Sequence, residues 1–329
     1  MQKLFPSLEF VSPPRYSMKY GKTRWGTIAG IIAQIPKILT AINREKIWLK
    51  EFAKEKHLDV VFSDNRYGLY HPEINCVFIT HQLLIKTPFG KWADAWLQQI
   101  NYRFINRFNY CWVPDAASMP YLAGELSHPK HLPAIPTHYV GAQSSITIPA
   151  PEAVTVKPYL LVLLSGPEPQ RSLLENLLLQ QLETSPMPVE FVRGLPAEGK
   201  LPVAPPNVSI HQFLGGRELE EMINEAAIVL SRAGYSSIMD LLPIGKRCIF
   251  IPTPGQAEQE YLATWVLHNR YAHVVQQDKF LLRDALAKAA LLEVPDLSST
   301  KNDQLMLHAI TALQQVIYQK QNLMKDIAV

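Results

Sequence analysis

The sequence predicts an α/β protein built from two doubly wound, Rossmann-like units, and three observations carry that expectation. Residues 158–302 alternate short apolar runs with helix-length segments, the order expected of βαβ units around a parallel sheet. Residues 1–140 repeat the same order more thinly. A chain of 329 residues also exceeds the roughly 250 at which one core stops growing.

Taken in order, the first half predicts strands at 8–11, 59–62, 76–80, 110–113 and 138–140, with helices over 28–56 and 92–107. Ile28, Ile31, Ile32, Ile35, Ile38 and Leu39 recur at helical spacing, so this stretch is expected to pack on a core. Lys22, Arg24 and Lys37 beside it leave open a contact with a membrane surface. Residues 141–157, rich in Ser, Pro and Ala, read as a linker. The second half predicts strands at 159–164, 189–192, 208–211, 228–231, 247–251 and 272–275. Helices are expected between them, at 170–183, 217–225, 236–242, 258–269 and 280–292. Residues 303–329 keep a helical apolar period and are expected to fold back towards the junction of the two units.

Composition narrows the classes. Hydrophobic residues at 47% against 19% charged argue for a packed globule rather than a disordered chain. Cys76, Cys111 and Cys248 lie far apart, which suggests neither a disulfide framework nor a metal cluster and suits a reducing cytoplasm. The opening ten residues lack a secretory pattern, and the apolar stretch 25–42 is broken by Gln34, Pro36 and Lys37, a poor membrane span. A cytoplasmic protein is expected, peripheral to the inner membrane face at most. Residues 1–140 carry 17 Lys and Arg against 10 Asp and Glu, and residues 141–329 carry 15 against 19, so only the first half is basic. Such an excess is more often ordinary solvated surface than an anion-binding face.

The segment 228–240 concentrates the functional signal: an apolar strand, the turn Ser231-Arg232-Ala233-Gly234, Ser236 and Ser237, then a helical run to Asp240. Gly234 would let the backbone turn sharply and a ligand approach closely, and Ser236 or Ser237 would cap the helix. Amides at that helix start can hold a phosphate, and Asp240, about one turn on, can accept hydrogen bonds from a ribose diol. By itself the pattern equally fits an ordinary βα turn.

The wider run SRAGYSSIMDLLPIGKRCIFIPTPGQAEQEYLA, residues 231–263, resembles the C-terminal domain of family 28 glycosyltransferases. Arg232, Gly234, Asp240, Gly245, Pro252 and Gln259 stand at the places of that family's motif. The resemblance implies a two-domain GT-B glycosyltransferase using a nucleotide sugar, a UDP-sugar foremost, as donor substrate, with no cofactor; no D-x-D cluster suggests a metal. It implies that Asp240 holds the ribose, Gly234 with its neighbouring amides the diphosphate, and Gln259 the sugar hydroxyls. Glu258 either assists or is solvated. The loop Ser165-Gly166 to Arg171 corresponds to a phosphate loop in which Arg171 supplies charge. Phe213 and Leu214 occupy the base-binding segment, where Phe213 fits the core equally well. The acid at 240 is usually Glu in the family, and 141–145, Gly-Ala-Gln-Ser-Ser, lacks the usual arginine. A divergent donor or acceptor is therefore expected.

The resemblance continues more weakly through 59–68 and 77–82 to the acceptor side, where Asp64, Asn65, His81 and Gln82 follow apolar strands. His81 is the candidate for proton chemistry, although a lone histidine at a strand end is more often a structural hydrogen-bonder. The family's opening βαβ unit, with its glycine- and histidine-bearing loop, finds no counterpart. About 40 to 50 residues are expected to be missing, including a strand from the middle of the sheet. The acceptor is expected to be lipid-linked or a saccharide, with no nucleic acid involved. The alternatives are a non-catalytic nucleotide-sugar-binding protein and a UDP-sugar 2-epimerase.

Overall fold

The computed structural model describes residues 6–14, 24–149, 155–195 and 200–327, with the side chains of 24–33 and 320–327 outside that description. Ile28, Ile31 and Ile32 of the apolar stripe, with Lys22 and Arg24, therefore lie beyond the described side chains. In chain order the first half holds α1 (Arg24–Glu55), β1 (Val60–Asp64), β2 (Asn75–Ile79), α2 (Lys91–Ile105), β3 (Tyr110–Val113) and β4 (Thr137–Tyr139). The second holds β5 (Lys157–Leu163), α3 (Gln170–Leu182), β6 (Val189–Val192), β7 (Val208–His211), α4 (Gly216–Glu225), β8 (Ala226–Ser231) and α5 (Tyr235–Leu241). It continues with β9 (Cys248–Phe250), α6 (Ala257–His268), β10 (His273–Val274), α7 (Leu282–Ala290) and α8 (Asp303–Ile327).

All paired strands run parallel, in the orders β1-β2-β3-β4 and β10-β9-β8-β5-β6-β7. The second order reverses at β5, which is the topological switch of a doubly wound sheet. Alternation along each strand explains the layers. Leu160 and Val162 of β5 face a core with Leu174 and Leu178 of α3 and Leu286 of α7. Leu161, between them, faces the opposite core with Ile238 and Met239 of α5 and Leu262 of α6. Burial on both faces is why these strands read as continuous apolar runs.

The first sheet obeys the same rule with different covers. Cys76 and Phe78 pack with Ile105 and Phe108 at the end of α2, while Val77 and Trp112 pack with Ala309 and Leu313 of α8. The C-terminal helix thus closes one face of the first sheet. Helix α1 is pinned to the β1–β2 loop: a Cβ on Gly68 would lie 2.3 Å from Ile42 O, and buried Glu45 pairs with Arg66 at 2.7 Å.

One expectation is corrected. Residues 8–11 form no strand, because Leu8, Phe10 and Val11 are exposed and no ladder takes them up. The described first sheet is continuous, with β1 paired to β2 over five residues and standing at the edge.

Candidate functional site

His81 after β2 and Pro114 after β3 meet residues that follow β8 and β9, so the carboxyl ends of both sheets share a junction, and helix α6 is one of the elements that join the two units. Trp265 Nε1 donates to Tyr121 O at 3.3 Å, and Glu125 N donates to Tyr261 Oη at 2.7 Å. Gly124, at φ +57°, leaves just enough room: a Cβ there would be 2.5 Å from Tyr261 Oη and 2.7 Å from the Trp265 ring.

Gly234 follows β8 at this junction, with φ −79° and ψ 150°, extended backbone that any residue adopts. The expected sharp glycine turn is therefore corrected. What the glycine provides is space, since the nearest groups to a Cβ there would be Gln259 Nε2 at 3.9 Å and Ser237 Oγ at 4.0 Å. Neither Ser236 nor Ser237 caps α5; Gly234 is itself the cap residue and no side chain bonds to the helix start. Ser236 is exposed and Ser237 half-buried. Gln259 is fixed by accepting Thr253 N–H at 2.9 Å through Oε1, which leaves its amide group turned towards Gly234.

Asp240 is half-buried one turn further on. Its Oδ1 accepts the hydroxyl of Ser144 at 2.6 Å, and Ser145 N–H also donates to the carboxylate. Burial pushes the Asp240 carboxyl up from the usual carboxylate range, against the opposing hydrogen bonds and the nearby Lys301 charge. The residues 140–149 thus lie over the carboxylate, clasped from behind: Lys301 Nζ donates to Ile146 O at 2.6 Å and Ala142 N–H to Thr300 O at 2.8 Å.

The two arginines serve different ends from those expected. Arg171 is buried, and Glu168 at 2.7 Å and Glu175 at 2.6 Å neutralise it, so it has no free charge to offer a phosphate; this expectation is corrected. Arg232 is 1% exposed, and its guanidinium donates to Gln277 Oε1 and Gln170 O, both at 2.8 Å, and to the carbonyls of Ile251 and Pro252. No carboxylate pairs with it among the described residues. Burial depresses its pKa to about 10, and its charge lies just beyond the end of β8.

Ser165 and Gly166 are exposed at the end of β5, with Gly166 at φ +101° and no atom within 4 Å of a Cβ. Phe213 is 60% exposed and not core, while Leu214 is buried in the core under α5. An exposed ring on the β7–α4 loop is available to stack on a planar base.

From the first sheet, His81 reaches across the junction. Its Nε2 lies 3.1 Å from Glu258 Oε1 at the start of α6, and its ring stacks on Tyr235 at 3.7 Å and 12°. Tyr235 Oη donates to Pro114 O, and burial raises the phenol well above its ordinary value. Glu258 is therefore engaged, not merely solvated. Thr80 braces the strand end by donating to Asn65 Oδ1 at 2.8 Å and accepting Gln82 N–H at 3.1 Å. Asn65, at φ +54°, and Asp64 are exposed.

A second network lies behind this junction. Asp115 is fully buried and accepts the N–H groups of Ala116, Leu122 and Ala123 and the hydroxyl of Ser127, all within 2.9 Å. His128 stacks between Tyr121 and Tyr139, and Tyr121 stacks in turn on Trp265 of α6. Tyr235, Ser144, Asp115 and His128 were not singled out in the sequence. Only Tyr235, adjoining Gly234, and Asp115, in a Pro-Asp turn after an apolar run, carried a local signal.

This architecture is that of the GT-B glycosyltransferases. The chain aligns with the glycotransferase of kitacinnamycin at TM-score 0.56 and 14% identity, over 88% of this chain and 79% of that one. It aligns with the spinosyn forosaminyltransferase SpnP at 0.55 and 13%, over 84% and 80%. Residues 198–315 match the model of the glycosyltransferase family 28 C-terminal domain. Over 97 residues the chain is 30% identical to the UDP-N-acetylglucosamine–N-acetylmuramyl-(pentapeptide) pyrophosphoryl-undecaprenol N-acetylglucosamine transferase of Sulfurihydrogenibium sp. (strain YO3AOP1). That match spans 28% of this chain and 27% of the relative's length.

Proposed function

We propose that the chain transfers a sugar from a nucleotide sugar, a UDP-sugar foremost, to a lipid-linked or saccharide acceptor. The observation that carries this is the meeting, at one junction, of the open space over Gly234 with the Gln259 amide beside it and His81 opposite. The base would stack near Phe213, the ribose would bind Asp240, and the diphosphate would lie by Gly234 within the field of Arg232. The acceptor hydroxyl would enter from the side of Asp64, Asn65 and Gln82. No cofactor enters this scheme, and the donor charge is met by protein groups rather than a metal.

No described helix is long and apolar enough to cross a membrane. A peripheral contact is supported at α2: Trp92 is 74% and Trp96 62% exposed one turn apart, beside exposed Phe89 and Lys91. The Sulfurihydrogenibium relative, by its name, acts on an undecaprenol-linked acceptor, which accords with such a contact.

Ser144 sits on Asp240 as a ribose hydroxyl would, so donor binding has to displace it. Calorimetry with UDP is expected to show binding that Asp240→Ala weakens about tenfold, the loss of a hydrogen bond to a charged group. Ser144→Ala, which removes the competing hydroxyl, is expected to tighten it several-fold. Absence of UDP binding, or indifference to both substitutions, would remove the ribose assignment. The second reading is a nucleotide-sugar-binding protein without turnover. Product analysis with a radiolabelled UDP-sugar separates the two.

A further inference from the structure

We propose that Glu258 is a positioning residue for His81, so that the base for glycosyl transfer is assembled from both halves of the chain. This rests on the glycosyltransferase reading above.

The geometry is specific. His81 and Glu258 are 177 positions apart, yet Nε2 and Oε1 are 3.1 Å from each other, with side chains 18% and 26% exposed. The imidazole has two further restraints. Its face lies on the Tyr235 ring, and Tyr235 is itself tied to Pro114 O of the first half. Its backbone follows Thr80, which bonds to Asn65 and to Gln82 N–H. With Nε2 directed at the carboxylate, the proton is held on Nε2 and Nδ1 is the basic nitrogen. Nδ1 has no hydrogen-bond partner among the described residues.

In the proposed step the acceptor O–H gives its proton to His81 Nδ1 as its oxygen bonds to the anomeric carbon. The bond from that carbon to the diphosphate oxygen breaks, and its electron pair leaves with the nucleoside diphosphate. Glu258 offsets the imidazolium so formed and keeps the ring in its tautomer. The neighbouring Gln259 places the same first turn of α6 beside Gly234, so base and donor subsite move together. The charges of Asp115, Asp64 and Asp240, with that of Glu258, also act on Tyr235.

The test uses the full chain, with UDP-N-acetylglucosamine as donor and water as the slow acceptor, alongside ¹⁵N NMR of His81 assigned by a His81→Asn control. Glu258→Gln is expected to lower kcat at least about tenfold while the affinity for UDP stays within about twofold of wild type. The wild-type spectrum at alkaline pH is expected to show the Nε2–H tautomer, and Glu258→Gln a mixture. Glu258→Asp should recover part of the rate. UDP binding with kcat and tautomer unaltered in Glu258→Gln would overturn the proposal alone. Absence of UDP binding or of any sugar release in the wild type would overturn the glycosyltransferase reading, and this proposal with it.

Discussion

Asp115→Ala is expected to destabilise the protein by about 3–5 kcal/mol, read as a fall in the urea midpoint. Four donors converge on this one carboxylate: the N–H groups of Ala116, Leu122 and Ala123 and the Ser127 hydroxyl. Alanine leaves the three N–H groups buried and unpaired, at about 1–3 kcal/mol for each that finds no water, while the Ser127 hydroxyl can turn to Gly124 O at 3.2 Å. Asp115→Asn keeps one acceptor oxygen but turns an NH2 group at donors, so it should recover only part of the loss. The damage should also reach the junction, because these residues adjoin Tyr121, which stacks on Trp265 of α6. A midpoint change worth less than about 1 kcal/mol would show that the segment finds other acceptors.

The same cluster gives a pH dependence. His128 is held below the usual imidazole range by burial, opposed by the charge of Asp115, and its buried Nε2 has no partner. The unfolded chain therefore binds a proton first, near the ordinary value of about 6.5. Stability contributed by neutral His128 is present above that pH and is lost as the pH falls below it.

How much of this was legible in the sequence depends on range. The central strands of the second half read clearly because they are buried on both faces, as β5 is between the α3 and α5 layers, and a continuous apolar run bounded by Gly or Pro is a local signal. The motif at Gly234 was equally local. Its geometry was not: glycine at an ordinary φ looks the same in sequence as glycine at a forced one. Contacts between halves were illegible for a different reason. His81 with Glu258 and Ser144 with Asp240 are each set by how finished units dock, and no periodicity records that. Residues 8–11 failed in the opposite sense, being apolar enough for a strand but lacking a neighbour to pair with.

Arg232 is where stability and ligand binding separate. Its guanidinium has no carboxylate partner among the described residues, and the depressed pKa of about 10 shows that burial works against the charge at neutral pH. It is nevertheless the hub joining β8 to the carbonyls after β9, to Gln170 O at the start of α3 and to Gln277. Arg232→Ala strands those acceptors and opens a large cavity, which together exceed the relief of desolvation. A net loss of about 3–5 kcal/mol is expected. Arg232→Met fills the volume and removes the ill-solvated charge, so it should be milder, within about 2 kcal/mol of wild type. If the cation is retained for an anionic donor, the folded Met variant should bind UDP about tenfold more weakly, the weakening shrinking as salt is raised. Equal affinity in the Met variant would assign Arg232 to architecture alone.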